Sequence, residues 1–272
     1  MILQADMAAI IEVRDLVKKF GGFAAVDRIS FSVAAGRIFA FLGPNGAGKT
    51  TTIKMLTTIL APTSGTIRVA GHDPVREARQ VRRAFGIVFQ DPSLDDEMTA
   101  YENMELHGVL YGVARAARRR RIAALLDFVD LWERRDDYVK RFSGGMKRRL
   151  EIARALLHQP KILFLDEPTA GLDPQTRNHI WGFVQSLSRD EGVTVLFTTH
   201  YMDEAERVAE DIAIIDHGRI VAEGAIPELK RRTGAATLED AFIALTGRAI
   251  RADEAAPQDR MRMMRQAWRG RR

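Results

Sequence analysis

A glycine-rich segment that contains a lysine and two threonines is the part of this sequence best able to do chemistry. Residues 43–51 read GPNGAGKTT and fit the spacing G-x-x-x-x-G-K-[ST] at Gly43, Gly48, Lys49 and Thr50. Glycines let backbone N–H groups surround an anion, and a following helix adds positive partial charge. We predict a phosphate-binding loop in which Lys49 reaches the outer phosphates and Thr50 binds Mg²⁺. An ordinary glycine-rich turn is the alternative, which the flanking apolar run and helical pattern disfavour.

Two adjacent acidic residues end an apolar segment further along the chain. Residues 161–168 read KILFLDEP. Asp166, at the end of such a strand, could hold Mg²⁺ through water, and Glu167 could orient a water molecule and accept its proton. A strand that merely ends in surface acids is the alternative for an isolated Asp-Glu pair. The presence of a phosphate-binding loop in the same chain favours the catalytic interpretation.

A helix start with two glycines precedes those acids. Residues 141–156 read RFSGGMKRRLEIARAL, and Ser143 is a good N-cap for a helix that begins near Gly144. A routine capped amphipathic helix is one interpretation, but it does not explain Gly144 and Gly145 at the cap. Bare N–H groups there suit close approach to an anion, which need not be bound by this chain's own loop.

The elements that must position these residues alternate between strands and helices, which indicates an α/β fold. The runs that begin at 38, 162 and 193 are apolar throughout, so we predict central parallel strands there. The first strands predict an antiparallel side sheet, and residues 95–160 predict an inserted helical subdomain. The strand candidates are 10–13, 29–33, 38–42, 66–69, 87–89, 162–165, 193–198 and 212–215.

Composition narrows the class of protein. The chain has 272 residues, no cysteine and 28% charged residues, so we expect neither disulfides nor thiolate metal sites, as in a reducing cytoplasm. Its longest apolar runs are of strand length, far below the ~20 residues that cross a bilayer. The N-terminal segment lacks a basic region, and acids interrupt its apolar residues, so we do not expect a signal peptide.

Positive charge is concentrated at the C-terminal end. Residues 251–272 hold seven Arg and three acidic residues, which is most of the net charge of +5. The rest of the chain is therefore not a basic nucleic-acid binder, and we expect no nucleic-acid partner. The segment is a disordered basic extension or a helix that lies against anionic lipid headgroups. The run Arg118–Arg121 is interpreted as a solvated helix face.

In their order along the chain, these motifs resemble those of the ATP-binding (nucleotide-binding) subunit of an ABC transporter. The resemblance covers residues 8–232 and implies a P-loop NTPase core with a mostly parallel sheet, an N-terminal antiparallel side sheet and an inserted helical subdomain. A short helical extension comes next at 233–250, then the basic tail at 251–272. Phe142 and Met146 depart from the family's usual Leu and Gln around the signature Ser-Gly-Gly.

The resemblance also implies roles for individual residues. The residues that it assigns to ATP binding are Phe20, Gly43, Pro44, Asn45, Gly46, Ala47, Gly48, Lys49, Thr50 and Thr51. It assigns Mg²⁺ to Thr50, Gln90 and Asp166, and catalysis to Lys49, Glu167 and His200. Ser143, Gly144 and Gly145 would contact ATP bound to a second subunit, and Asp173 lies in the D-loop. Taken alone, Phe20 could be a core residue, Gln90 a surface residue and His200 a structural histidine.

The resemblance implies an ATPase that dimerises around ATP and drives transport through separate transmembrane permease subunits. The second ATPase would be another copy of the chain or a paralogue, and the protein would be peripheral to the cytoplasmic face of the membrane. Residues 91–97 and 237–247 resemble exporters of drug-like, lipidic or glycan substrates. A non-transport ABC ATPase of translation or DNA repair would need two cassettes or a long coiled coil. A non-hydrolysing regulatory module is the third possibility, and Glu167 with His200 argues against it.

Overall fold

The computed structural model describes residues 9–247, so the predictions for the basic tail lie outside the described residues. Its strands are β1 Ala9–Phe20, β2 Phe23–Ala34, β3 Ile38–Leu42, β4 Ser64–Val69, β5 Phe85–Val88, β6 Ile162–Asp166, β7 Thr194–Thr199, β8 Asp211–Asp216 and β9 Arg219–Ala225. Its α-helices are α1 Lys49–Leu56, α2 Ala78–Ala84, α3 Ala100–Leu110, α4 Arg115–Phe128, α5 Gly144–Leu156, α6 Pro174–Glu191, α7 Met202–Val208, α8 Ile226–Thr233 and α9 Leu238–Thr246. Short 3-10 helices lie at Trp132–Arg134 and Val139–Arg141.

The main sheet has the order β5-β6-β7-β3-β8-β9. The first five strands in this order run parallel to one another. Strands β3, β6 and β7 are buried along their whole length. The prediction of central parallel strands is therefore confirmed. Strand β9 was not predicted. It pairs antiparallel with β8 at the sheet edge and is only partly buried, so its sequence lacks the strong apolar run of its neighbours.

The side sheet has the order β2-β1-β4 and is antiparallel, as predicted. A tight turn at Gly21 and Gly22 joins β1 to β2, so that Phe20 and Phe23 pair across the end of the hairpin. The inner face of this sheet packs on one face of the main sheet, where Phe31 contacts Phe39 and Phe41 with ring centroids 5.8 and 5.1 Å apart. The hairpin end, at Phe20 and Phe23, lies beside the loop that follows β3.

The helical subdomain consists of α3, α4 and α5 around an apolar core of its own, as predicted. Phe142 is buried in that core and Met146 packs against it, so both departures from the family pattern serve internal packing. The solvated-face interpretation of the arginine run holds for its two middle residues alone. Arg118 donates 2.6 Å to Glu105, and Arg121 donates to the Leu157 carbonyl and the Gln159 side chain.

Helix α5 packs across β5 and fixes the subdomain to the sheet. A Cβ at Gly86 would lie 2.3 Å from the Ala155 carbonyl oxygen, so the close approach requires glycine. Within residues 9–247, no helix combines the length and the apolar character that a bilayer span needs.

Candidate functional site

The loop at residues 43–51 joins β3 to α1, with its glycines in the conformations that a phosphate cradle requires. Gly48 has φ +110°, and a Cβ there would lie 2.6 Å from the Ala25 carbonyl oxygen. A side chain at this position is therefore excluded both by backbone conformation and by contact. Residues 45–51 of the loop line a cleft of about 380 Å³ together with Phe20, Gln90 and Glu167, whereas Gly43 and Pro44 are not part of this lining.

Lys49 lies at the floor of this cleft and is 4% exposed. Its Nζ donates to the carbonyl oxygens of Gly43, at 2.7 Å, and Pro44, at 3.2 Å. The same Nζ lies 3.4 Å from Glu167 Oε1. Burial lowers the pKa of Lys49, and the negative charge of Glu167 opposes this shift without cancelling it. The ammonium group is thus held at the loop, where the outer phosphates of a nucleotide would lie.

Hard oxygen donors meet at the strand ends beside the loop. The Thr50 hydroxyl donates 3.1 Å to Asp166 Oδ1, and the Thr198 hydroxyl donates 2.6 Å to the same oxygen. Mg²⁺ prefers oxygen ligands and takes only one or two from protein when phosphates supply the rest. Among residues 9–247, no cluster of three or more acidic, His or Cys side chains forms a separate metal site. Thr50 and Asp166 therefore fit a Mg²⁺ that is shared with a nucleotide.

Glu167 lies between the side chains of Lys49 and His200. Its backbone has φ +48°, and its N–H donates 3.0 Å to the Thr198 hydroxyl, which fixes the turn after β6. Its carboxylate lies 3.4 Å from Lys49 Nζ and 3.4 Å from His200 Nδ1. Burial by itself raises the pKa of Glu167, but His200 and Lys49 together outweigh it and lower that pKa. The carboxylate is consequently ionised near neutral pH and able to accept a proton.

Nδ1 of His200 lies 3.4 Å from Glu167 Oε2 without making a well-formed hydrogen bond. Nδ1 of His200 is buried, and no acceptor satisfies hydrogen-bond geometry with it. The 3.4 Å separation still couples the two groups electrostatically, because charge interaction does not require linear geometry.

Two exposed aromatic rings form the open end of the cleft. Phe20 is 51% exposed and Phe23 is 66% exposed, although large apolar side chains usually avoid water. Lys18 Nζ lies 5.2 Å from the centroid of the Phe20 ring. A flat apolar surface at the far end of a phosphate cradle suits the stacking of a base. The sequence interpretation singled out Phe20 but missed Phe23, which becomes visible only through its pairing across the hairpin.

The segment Ser143, Gly144 and Gly145 does not line this cleft. Ser143 caps α5, its hydroxyl accepting from Met146 N at 3.3 Å, and Ser143 and Gly144 are exposed. A Cβ at Gly145 would lie 2.6 Å from Thr176 Cγ2. One of the two glycines is therefore explained by contact with α6 within the chain.

Asp173 likewise lies outside the cleft and caps α6. Its carboxylate accepts from Thr176 N at 3.0 Å and from the Thr176 hydroxyl at 2.6 Å.

Comparisons with known proteins agree with this geometry. The sequence pattern of the ABC transporter family matches residues 26–170. The daunorubicin/doxorubicin resistance ATP-binding protein DrrA of Streptomyces peucetius is 49% identical over 228 residues, which are 84% of this chain and 69% of that protein. The chain belongs to the ABC transporter ATP-binding family.

Other members give the same result. The Nod factor export ATP-binding protein I of Paraburkholderia xenovorans (strain LB400) is 47% identical over 217 residues, covering 80% of this chain and 71% of that protein. A solved ATP-binding subunit of an ABC transporter superposes with a TM-score of 0.80 at 31% identity, over 87% of this chain and 99% of that one. The dimeric post-hydrolysis structure of the cassette MJ0796 bound to ADP and Pi superposes with a TM-score of 0.71 at 28% identity, over 79% of this chain and 98% of that one.

As a member of this family, the chain is an ABC transporter ATPase, and the similar cassette MJ0796 is dimeric in its solved structure. Besides Phe23, the sequence interpretation missed two further side chains near the ends of β6 and β7. Thr198 joins Asp166 to the backbone of Glu167, and its place at the carboxyl end of an apolar strand was the available signal. Glu204 is buried and both of its oxygens accept from the Thr169 hydroxyl, at 2.8 and 2.7 Å, which ties the segment after β6 to α7.

Proposed function

We propose that two ATPase subunits enclose each ATP between residues 43–51 of one subunit and residues 143–145 of the other. The observation that carries this proposal is the separation within one chain of two anion-binding elements. The phosphate loop lines the cleft, whereas Ser143 and Gly144 are exposed outside it at the start of α5. A helix start with bare N–H groups is suited to an anion, and a two-fold axis places each such helix over the other subunit's cleft.

Within one subunit, the phosphate loop binds the triphosphate and Lys49 neutralises its outer charges. Thr50 and Asp166 would hold Mg²⁺, which lowers the cost of charge build-up on the transferred phosphoryl group when it is bound. Gln90 lies in the lining of the same cleft and would contact the ion or the attacking water. Phe20 and Phe23 stack on or flank the adenine.

Hydrolysis is carried by Glu167 and His200. Glu167 is ionised, so it orients the attacking water and accepts its proton. His200 contacts the γ-phosphate and links its position to that of Glu167. Because the γ-phosphate is the part of ATP that both subunits contact, its loss weakens their association and converts the chemical step into movement.

The membrane partner is proposed to dock on the C-terminal end of α3. Val109 and Leu110 are exposed there, Leu110 by 74%, beside a surface cleft of about 440 Å³ lined by Arg79, Arg82 and Arg83. Apolar side chains rimmed by cations suit a short helix with apolar and acidic residues from a permease. This contact would hold the subunit at the cytoplasmic face of the membrane.

We infer export of an amphipathic cargo. The support is the function for which two relatives are named, daunorubicin/doxorubicin resistance in one and Nod factor export in the other. The ATPase cleft described above is built for a nucleotide, so the cargo is selected by the permease and not by this chain.

The test is the substitution Glu167→Gln, with Lys49→Ala for contrast. Glu167→Gln keeps the size of the side chain but removes the base, so we expect at least a ~100-fold fall in kcat with ATP binding retained and an ATP-dependent dimer. Lys49→Ala should instead weaken nucleotide binding. Glu191→Gln, at an exposed position on α6, is the matched control and should behave as the wild-type chain. Unchanged turnover in Glu167→Gln would refute the role of this residue.

A further inference from the structure

Helix α5 contains a buried ion pair that the proposed ATP site does not use. Arg148 is 6% exposed and Glu151 is 1% exposed, and Arg148 Nη1 lies 3.1 Å from Glu151 Oε2. Two buried charges are costly unless hydrogen bonds satisfy their remaining donors and acceptors. The groups that form hydrogen bonds with this pair therefore indicate what the pair does.

Those partners belong to one short segment, residues 89–93. Arg148 donates to the carbonyl oxygens of Phe89 and Gln90, the latter at 2.9 Å. Glu151 Oε1 accepts from Ser93 N at 2.7 Å and from the Ser93 hydroxyl at 3.2 Å. Arg154, one turn further along α5, donates 2.8 Å to the Ser93 carbonyl oxygen.

The backbone of this segment is thus held by side chains of α5. Strand β5 ends at Val88, so residues 89–93 lie beyond the ladder that would otherwise fix them. Three carbonyl groups and one N–H of the segment are bound to a single helix. The segment and the helix consequently form one rigid unit, and we call the contact of Arg148 and Glu151 with residues 89–93 the latch.

We propose that Arg148 and Glu151 are positioning residues that make Gln90 and the start of α5 move together. Gln90 lines the chain's own cleft, whereas Ser143 at the N-cap of α5 is exposed outside it. The inference rests on the composite site proposed above, in which Ser143 covers the partner's ATP. The latch then couples the nucleotide in the chain's own cleft, next to Gln90, to the position of Ser143 at the partner's ATP. The connection runs along about one to two turns of α5.

The alternative is that the pair only stabilises the fold. Physical chemistry separates the two possibilities, because a buried ion pair contributes little net stability relative to well-packed apolar side chains. Replacing both residues by methionine leaves no unpaired buried charge but removes every hydrogen bond that the pair makes to residues 89–93. The variant Arg148→Met/Glu151→Met therefore keeps the core filled while deleting the latch.

Two measurements on the full chain test the proposal. The first is hydrogen–deuterium exchange of the amides of residues 89–93 in the monomer without nucleotide. The second is ATP-dependent dimerisation with MgATP in a Glu167→Gln background, alongside the affinity of the monomer for a fluorescent ATP analogue. Arg149→Met is the matched control, since Arg149 neighbours Arg148 on α5 but donates 2.8 Å to the Val129 carbonyl oxygen inside the helical subdomain.

We expect the double variant to melt close to the wild-type temperature. Exchange of the Ser93 amide should be at least about tenfold faster, because its hydrogen bond to the Glu151 carboxylate is lost. Dimerisation should weaken at least about tenfold while monomer affinity changes by less than about twofold, and Arg149→Met should change neither. Should the double variant not fold, Glu151→Gln, which keeps size and loses charge, takes its place.

Wild-type exchange and wild-type dimerisation in the folded double variant would overturn the proposal. Failure of the composite site is recognised separately. In that case the Glu167→Gln parent stays monomeric at saturating MgATP, and the exchange of residues 89–93, measured without nucleotide, decides whether the latch exists. Faster exchange in the double variant with unaltered dimerisation would also refute the coupling.

Discussion

At the scale of single residues, one hydroxyl organises both carboxylates of the site. Thr198 donates 2.6 Å to Asp166 Oδ1 and accepts 3.0 Å from Glu167 N. Asp166 and Glu167 are adjacent but have different proposed roles. The orientation of one relative to the other must therefore be fixed by a residue outside the turn that contains them. Thr198, from the neighbouring strand, supplies that restraint.

Thr198→Val keeps the shape of the side chain and removes this hydroxyl. We expect kcat to fall by roughly tenfold to a hundredfold, as loss of one or two hydrogen bonds costs ~1–3 kcal/mol in orientation, with little change in KM for ATP. Thr194→Val is the matched control, since Thr194 is buried on the same strand and its hydroxyl accepts 2.8 Å from Gly36 N at the opposite end. Steady-state kinetics would contradict the role if both variants lost activity equally.

At the scale of elements, α5 and α6 approach closely where the signature segment begins. A Cβ at Gly145 would lie 2.6 Å from Thr176 Cγ2, whereas one at Gly144 would lie 3.6 Å from Leu172 Cδ2, an ordinary contact. The branched Thr176 side chain is held by its hydroxyl, which donates 2.6 Å to Asp173 Oδ2, and cannot easily turn away. Gly144 therefore has room for a Cβ atom, whereas Gly145 does not.

Gly145→Ala should therefore destabilise the chain by ~1–3 kcal/mol, the usual cost of overpacking. Thr176→Ser removes the methyl group but keeps the hydroxyl, so the double variant should recover part of that loss. Gly144→Ala is the matched control and should cost less. Denaturant unfolding of the wild type, the two single variants, the double variant and the control measures these free energies, and an absence of coupling between positions 145 and 176 would contradict the packing explanation.

A second contact between elements contains two half-buried histidines. His107 on α3 stacks on Tyr111, which stacks on His158 after α5, with centroids 4.6 and 3.9 Å apart. His158 Nε2 lies 2.9 Å from the carbonyl oxygen of Phe85 in β5. Burial, with smaller contributions from Arg154 and His158, lowers the pKa of His107 to about 3. The ring is therefore neutral in the folded chain at any pH near neutrality.

Acid should lower the free energy of unfolding through the titration of His107. Between about pH 6.5 and the folded pKa, only the unfolded chain protonates His107, so the free energy of unfolding falls as pH falls. His107→Phe keeps an aromatic ring and removes the titration. From pH 7.5 to 5.5, the variant should lose about 1.4 kcal/mol less stability than the wild type in denaturant unfolding. Equal losses in both chains would show that His107 does not contribute.

At the scale of the whole molecule, one helix carries three exposed apolar side chains. Leu106, Val109 and Leu110 lie together on α3, away from the nucleotide cleft. Exposed apolar clusters of this kind mark binding surfaces for partners.

Leu110→Glu should detach the chain from its membrane partner without loss of ATP binding. We expect a severalfold fall in the fraction that sediments with membranes of the native host, because a charge would be buried in an apolar contact. Val221→Glu is the matched control, since Val221 is 41% exposed on β9 and lies outside the proposed surface. Equal sedimentation of wild type and Leu110→Glu would exclude this surface as the docking site.

The phosphate loop, the acids after β6 and the α/β fold could all be predicted from the sequence. Each depends on residues that are close together in the chain, such as Gly43 to Thr50, or on apolar runs long enough to identify buried strands. The edge strand β9 and the aromatic Phe23 could not, because a partly buried strand and an exposed ring leave weak local patterns.

Only the tertiary structure decided the meaning of residues that look alike in sequence. Arg148 and Arg149 are neighbours in one basic run, yet their side chains lie about 100° apart around α5. One binds the segment that carries Gln90, and the other binds the helical subdomain. The sequence alone determined the nucleotide chemistry, since that chemistry is encoded in contiguous motifs. The coupling between sites depends on contacts between distant residues, which only the folded chain brings together.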